Sequence, residues 1–220
     1  MNKYYYEFER VNDYCYPNSY VLRNKFDIRD ATVLDTAERE FTSAKLAYIK
    51  NNPIKGRFNL RHIQAIHKYL FCDIYDWAGE LRTVNIAKGN QFCNYLYLET
   101  YADGIFTKLK EEKLLSKTPA EAIPERLAYY LSEINVLHPF REGNGRTQRV
   151  LIEYLAQAAG WHVSFADVSN REMIEASALA FAMEYDMMIA MFRRIITPIT
   201  LDERKEFRVK IGLSRYKKTN

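Results

Sequence analysis

Leu60, Ile63, Ile66, Leu70 and Phe71 recur at three- and four-residue spacing, which predicts an amphipathic helix over about 59–71. Leu46, Ile49 and their neighbours predict an earlier helix over about 36–50, and Asp35 and Glu38 have the spacing of a capping box at its start. The pattern then changes period. Leu81 to Ile86 alternates apolar and polar, Lys88-Gly89-Asn90 is turn chemistry, and Phe92 to Tyr97 is aromatic. This predicts one β-hairpin over 82–97. Helical patterns return over about 98–114, 122–136 and 144–159, the last stopped by Gly160. Ser169 and Glu172 predict a capped helix over about 170–182, and a core helix follows near 185–196. Residues 1–34 are aromatic and irregular, an N-terminal arm with a turn at Pro17-Asn18. The expected architecture is mainly α, with a single hairpin.

Composition narrows the class. A chain of 220 residues and 26.0 kDa fits one domain with short extensions. Its 48% hydrophobic and 27% charged residues suit a folded globule rather than a disordered chain. The first ten residues lack the apolar core of a signal peptide, and the longest near-apolar stretch, Val150 to Trp161, is interrupted by Glu153 and Gln157. No membrane association is expected. Cys15, Cys72 and Cys93 are scattered and read as free thiols of a reducing compartment, so a cytoplasmic protein is expected. Four His and no HExxH argue against a protein-ligated zinc. The net charge of +4 resides in a basic tail, 201–220, with seven basic and three acidic residues, leaving 25 of each in 1–200. The tail is expected to project from the body. No helix-turn-helix, zinc-finger or RNP pattern is present, so direct nucleic-acid binding is not expected.

Residues 138–149 carry the chemistry. Pro139 should end the preceding helix near Leu137, and a new helix begins a few residues later. Gly143 and Gly145 permit close backbone approach, so the loop's amides gather at a helix N-terminus, an anion site by construction. Arg146 and Arg149 lie one turn in and can fork onto phosphate oxygens. Glu142 would repel a phosphate unless a cation lay between them, and magnesium typically binds one or two carboxylates plus substrate phosphates. His138 at the loop's mouth is a candidate general base. Together these describe phosphoryl-type transfer from a nucleotide, without the P-loop pattern. Each element alone has a bland reading as turn, surface or core residue; eight informative positions in twelve do not.

The stretch His138 to Arg149 resembles, without departure, the signature HPFx[DE]GNGRxxR of Fic domains. Asp76-Trp77-Ala78-Gly79-Glu80-Leu81-Arg82 resembles the lead-in to that family's target-binding flap, and Tyr16-Pro17 and Leu22-Arg23-Asn24-Lys25 are similar to the N-terminal part of bacterial Fic toxins and effectors. The likeness covers about 15–197. It implies a single Fic domain over 1–200, a helical bundle with one β-hairpin flap beside the active-site loop and helix. It also implies adenylylation of a Tyr, Thr or Ser hydroxyl on a target protein, with ATP as co-substrate. On that resemblance His138 is the base and Glu142 holds Mg²⁺. Gly143, Asn144 and Gly145 form the anion hole, with Asn144 orienting the α-phosphate. Arg149 meets the γ-phosphate, Arg146 supports the phosphate end, and Phe140 packs inward. Flap residues Thr83, Val84, Asn85, Ile86, Lys88 and Gly89 would clamp the target by strand pairing.

The resemblance further implies the toxin of a toxin–antitoxin pair, with DNA gyrase or a topoisomerase IV subunit as a possible target. Many relatives silence themselves with [ST]xxxE[GN]; the nearest match here, Thr36 to Glu40, is followed by Phe41. Inhibition in trans by a small antitoxin, through a Glu on Arg149, is therefore expected. Alternatives are another donor (UMP, GMP, phosphocholine or phosphate) and a host-directed effector injected into another cell. A binding module that has lost catalysis sits poorly with an intact His138 and Glu142. Elsewhere, His62 and His67 read as core or surface histidines. Met183, Met187, Met188 and Met191 read as core, and Tyr4, Tyr5 and Tyr6 as an aromatic packing arm or automodification sites.

Overall fold

The computed structural model describes residues 14–214, which form eight α-helices and two two-stranded sheets. Tyr4 to Tyr6 and the last six residues lie outside the described residues. Helix α1 (Ala31–Asn51) starts earlier than the expected 36. Asp30 is the cap: its carboxylate accepts from the amides of Thr32 and Val33 at 2.8 and 2.9 Å. The Asp35–Glu38 spacing is one turn inside the helix, where Asp35 pairs with Arg39 and Glu38 turns into the core. Helix α2 (Leu60–Phe71) begins as expected, with Asn59 accepting from the His62 amide.

The hairpin is real but short. Strands β1 (Ala87–Lys88) and β2 (Asn90–Gln91) pair antiparallel around Gly89, at φ +79. The predicted alternation does hold over 82–86. Arg82, Val84 and Ile86 are buried and Thr83 is exposed, but no ladder extends there. Tyr95 to Tyr97 form a 3-10 turn that leads into α3 (Leu98–Glu111) rather than a second long strand. Asn94 diverts the chain by capping that turn at the Leu96 amide.

Helices α4 (Ile123–Leu137) and α5 (Asn144–Ala159) flank the loop that carries the signature. Eleven of the sixteen residues of α5 are buried, so it is a core helix wrapped on all sides, held by α2 and α4. Gly160, at φ +108, ends it. Strand β3 (Trp161–Val163), α6 (Asn170–Phe181), α7 (Asp186–Ile195) and β4 (Ile196–Pro198) follow. Strands β3 and β4, far apart in the chain, pair antiparallel as a second two-stranded sheet beside the expected hairpin. Met188 and Met191 are core, whereas Met183 is 79% exposed at positive φ, outside the helical face on which its spacing placed it.

The start of the basic tail is also corrected. Helix α8 (Leu201–Lys210) carries a full capping box between Thr200 and Glu203. It buries Phe207, and Ile211 is buried just beyond it. Arg204 and Arg208 each donate to the Ala158 carbonyl at 3.0 Å, so their charges close the C-terminus of α5. Burying two large apolar side chains contributes roughly 3–6 kcal/mol, enough to hold a short charged helix down.

Candidate active site

The loop between α4 and α5 departs from helical geometry at His138, whose φ and ψ of 41 and 61 are left-handed. Such a backbone at a non-glycine residue costs energy and persists only where its surroundings fix it. Three contacts do so. Buried Arg82 donates from Nε to the His138 carbonyl at 2.8 Å and also binds the carbonyls of Val84 and Cys93. The Arg82 amide donates to the Pro139 carbonyl at 2.9 Å. The Asn144 side chain accepts from the Phe140 amide at 2.9 Å and donates to the Phe140 carbonyl at 2.7 Å. Asn144 was expected to orient a phosphate. Both polar ends of its side chain brace the loop at Phe140. Phe140 is fully buried, as expected.

His138 is buried and stacks on Phe92, with ring centroids 3.7 Å apart. Its Nδ1 lies 3.0 Å from the Asn135 carbonyl, which places the proton on Nδ1 and the lone pair on Nε2. Burial pulls its pKa down to about 3, with the charges of Arg82 and Lys88 adding to the fall. The ring is therefore neutral at physiological pH, with its lone pair on Nε2.

The carboxylate of Glu142 accepts from the Gly143 amide at 2.9 Å. Burial first, and then the neighbouring charge of Glu38, push its pKa up. Among the described residues no cluster of three or more His, Cys, Asp or Glu forms. A cation here would rest on Glu142 together with phosphate and water oxygens. That is how magnesium binds at nucleotide sites, and the hard oxygen donor fits it.

Gly143, at φ +80, opens α5. A Cβ there would lie 2.4 Å from Cζ of Phe71, so the loop admits no side chain. The two signature arginines differ. Arg146 is ion-paired to buried Glu38, donates to Thr42 Oγ1 at 3.2 Å and lies over the Phe71 ring. Tyr75 donates to the other Glu38 oxygen at 2.5 Å. Arg149 has no hydrogen bond or ion pair among the described residues, and its Nη1 stands beside Gly145. Its charge neighbours are Arg146 and Glu153, and burial lowers its pKa.

The structure thus gathers His138, Glu142, Gly143, Asn144, Gly145, Arg146 and Arg149 around one helix N-terminus. Of the flap residues, Val84 and Ile86 form a small cluster with Phe92, and the Asn85 side chain accepts from the Tyr95 amide. Thr83, Lys88 and Gly89 are exposed. The sequence assigns no site role to Glu38, Arg82, His67 or Tyr75, which the fold places against the loop or its arginine. Glu40, in the nearest match to a self-inhibitory segment, is exposed, and Glu38 reaches Arg146 rather than Arg149.

Comparison with known proteins agrees with this geometry. The family model described as Fic/DOC family matches residues 57–156. Protein adenylyltransferase VbhT of Bartonella schoenbuchensis is 39% identical over 90% of this chain, which spans 42% of that relative's length. The probable protein adenylyltransferase Fic of Salmonella typhimurium is 38% identical over 86% of this chain and 94% of its own. Among solved structures, the N-terminal Fic domain of a VirB-translocated Bep effector protein from Bartonella quintana, with bound ADP, is similar at 26% identity. Its TM-score is 0.80, covering 85% of this chain and 95% of that one. With a near full-length relative at this identity, the chain belongs to the Fic/DOC family.

Proposed function

We propose that this Fic/DOC adenylyltransferase moves AMP from ATP to a Tyr, Thr or Ser hydroxyl of a target protein, with His138 as the general base. The observation that carries this reading is the convergence on one helix N-terminus of a neutral imidazole, a carboxylate and an unpaired guanidinium. His138 Nε2 takes the hydroxyl proton, the freed oxygen attacks the α-phosphorus, and the bond to pyrophosphate breaks. The amides at the start of α5 stabilise charge gathering on the α-phosphate. Arg149 meets the terminal phosphate, and Glu142 would hold Mg²⁺, which offsets phosphate charge when bound. The exposed edge at Thr83, Lys88 and Gly89 would pair with the target strand.

The reading extends to regulation. A small antitoxin acting in trans would set a carboxylate on Arg149; the support is that Arg149 has no ion pair among the described residues and that Glu40 is exposed. DNA gyrase or topoisomerase IV in the bacterial cytoplasm is then the proposed target class. No helix of the described residues is long and apolar enough to cross a membrane.

The test incubates the protein with a bacterial lysate and α-labelled ATP, in parallel with labelled UTP and GTP, beside His138→Ala. Label from ATP that vanishes in His138→Ala is expected. Label from another nucleotide alone would reassign the donor, and no His138-dependent label would remove the enzyme reading. Co-expression with small neighbouring proteins that quench the label tests the control in trans.

A further inference from the structure

His67 is fully buried on α2, and both ring nitrogens meet main-chain groups distant in sequence. The Gly79 amide donates to Nδ1 at 2.8 Å. A backbone N–H has only a proton to give, so Nδ1 carries the lone pair and Nε2 the proton. Nε2–H donates to the Glu142 carbonyl at 2.9 Å. The ring is clamped by its faces as well, 3.8 Å from the Phe140 centroid and 4.6 Å from that of Phe71.

The carbonyl that His67 holds belongs to the peptide unit joining Glu142 to Gly143. In a planar trans peptide the C=O and the N–H point in opposite directions, and the chain has no cis bonds among its described residues. Fixing the Glu142 oxygen towards α2 therefore aims the Gly143 N–H away from α2. In the free protein that N–H donates to the Glu142 carboxylate at 2.9 Å, so it points towards the carboxylate of the site and not towards α2. Gly143 has a wide choice of backbone angles, so the loop's own chemistry does not set this orientation.

We propose that His67 is a positioning residue for the anion hole: its Nε2–H locks the Glu142–Gly143 peptide so that the Gly143 amide faces the substrate phosphate. The same ring ties that peptide to Gly79, at the base of the flap, so the flap and phosphate loop share one strut. The inference rests on the reading of the α5 N-terminus as the phosphate site.

The test compares two amides of different reach. In His67→Gln the side-chain nitrogen stands near the place of Nε2 and can keep the Glu142 bond; in His67→Asn it stands near Nδ1 and cannot. Amide spectra of the free ¹⁵N-labelled protein, the affinity for AMPPNP and the kcat and KM for ATP are measured. His67→Asn should shift the Gly143 amide and weaken AMPPNP binding at least about tenfold. It should also lower kcat/KM by roughly 10²–10³, the range seen when one oxyanion donor is lost. His67→Gln should stay within about threefold of wild type, since it retains the donor. Equal behaviour of the two variants, or an unmoved Gly143 amide in His67→Asn, would overturn the proposal, because a packing role loses the ring in both. If His67→Asn does not fold, His67→Gln decides: its Gly79 amide should shift while that of Gly143 stays. Failure of wild type to bind AMPPNP would sink the phosphate-site reading, and the free-protein spectra would still judge the strut.

Discussion

Gly143→Ala should distort the phosphate loop while leaving the domain folded, and its size follows from two contacts. At φ +80 an alanine carries the left-handed penalty of about 1–2 kcal/mol. Its Cβ would also stand 2.4, 2.5 and 3.0 Å from three ring carbons of Phe71. Phe71 has nowhere to swing: His67 stacks on it at 4.6 Å and the Arg146 guanidinium lies 4.8 Å from its centroid. Overpacking of this kind costs about 1–3 kcal/mol. The combined strain is roughly 2–5 kcal/mol, set against a typical domain stability of about 5–15 kcal/mol.

Thermal unfolding should then drop by roughly 4–20 °C, at about 2–4 °C per kcal/mol for a chain of this size. Label transfer should fall by about 10²–10³, the cost of one displaced donor. Gly145→Ala is the internal comparison. Gly145 has no positive φ, and its Cβ would meet only the flexible end of Arg149 at 3.3 Å. It should change the melting temperature by less than about 2 °C, as an unstrained substitution does. Gly143→Ala with wild-type stability and activity, or Gly145→Ala as unstable as Gly143→Ala, would refute the assigned strain.

Two further outcomes follow from the charges around α5. Glu38→Ala strands Arg146 without its buried partner and should cost about 3–5 kcal/mol in a denaturant titration, whereas Glu38→Ala with Arg146→Met should recover part of that loss. Glu153 is mostly buried beside Lys50 and Arg149, and burial raises its pKa to about 7. A carboxyl raised on folding weakens the fold above its unfolded pKa, and the cost is complete above about pH 7. Glu153→Gln should therefore stabilise the protein by up to about 3 kcal/mol at pH 8 and by almost nothing at pH 4.5, a difference read from unfolding midpoints at the two values.

The parts of the site visible in the sequence are those whose physics is local. Residues 138–149 announced a loop because Pro139 stops one helix and Gly143 opens the next, and α5 was bounded correctly because Gly160 ends it. Glu38 and Arg146 are 108 positions apart, and no periodicity in α1 tells an inward glutamate from a solvated one. Arg82 falls on the apolar phase of an alternating stretch, so its inward direction was implied, but three carbonyl partners supplied by the fold were not. His67 looked like one polar residue on an apolar face; only the fold brings Gly79 and Glu142 to its two nitrogens. Strands β3 and β4 have three residues each and lie far apart in the chain, below what a pattern can register. Helix α8 was hidden by its charge: only Phe207 is buried within it, and two of its cations, Arg204 and Arg208, bind a helix end.

Sorting the cations by partner explains how a chain with a balanced body concentrates positive potential at one point. Arg204 and Arg208 serve the C-terminus of α5, where carbonyls collect negative charge. Arg82 serves the carbonyls of the loop and flap. Arg146 is matched by Glu38, so it contributes rigidity and little net field. Arg149 stands apart, half-buried on the first turns of α5, where the backbone amides already favour an anion. It has no hydrogen-bonded partner among the described residues and only Glu153 as an opposite charge nearby, so an anion that binds it offsets part of its burial cost. On the proposed function, nucleotide phosphate and an inhibitory carboxylate would compete for this guanidinium, so binding of one would exclude the other. Under that proposal substrate affinity and control would meet at one guanidinium, because Arg146 is already paired with Glu38.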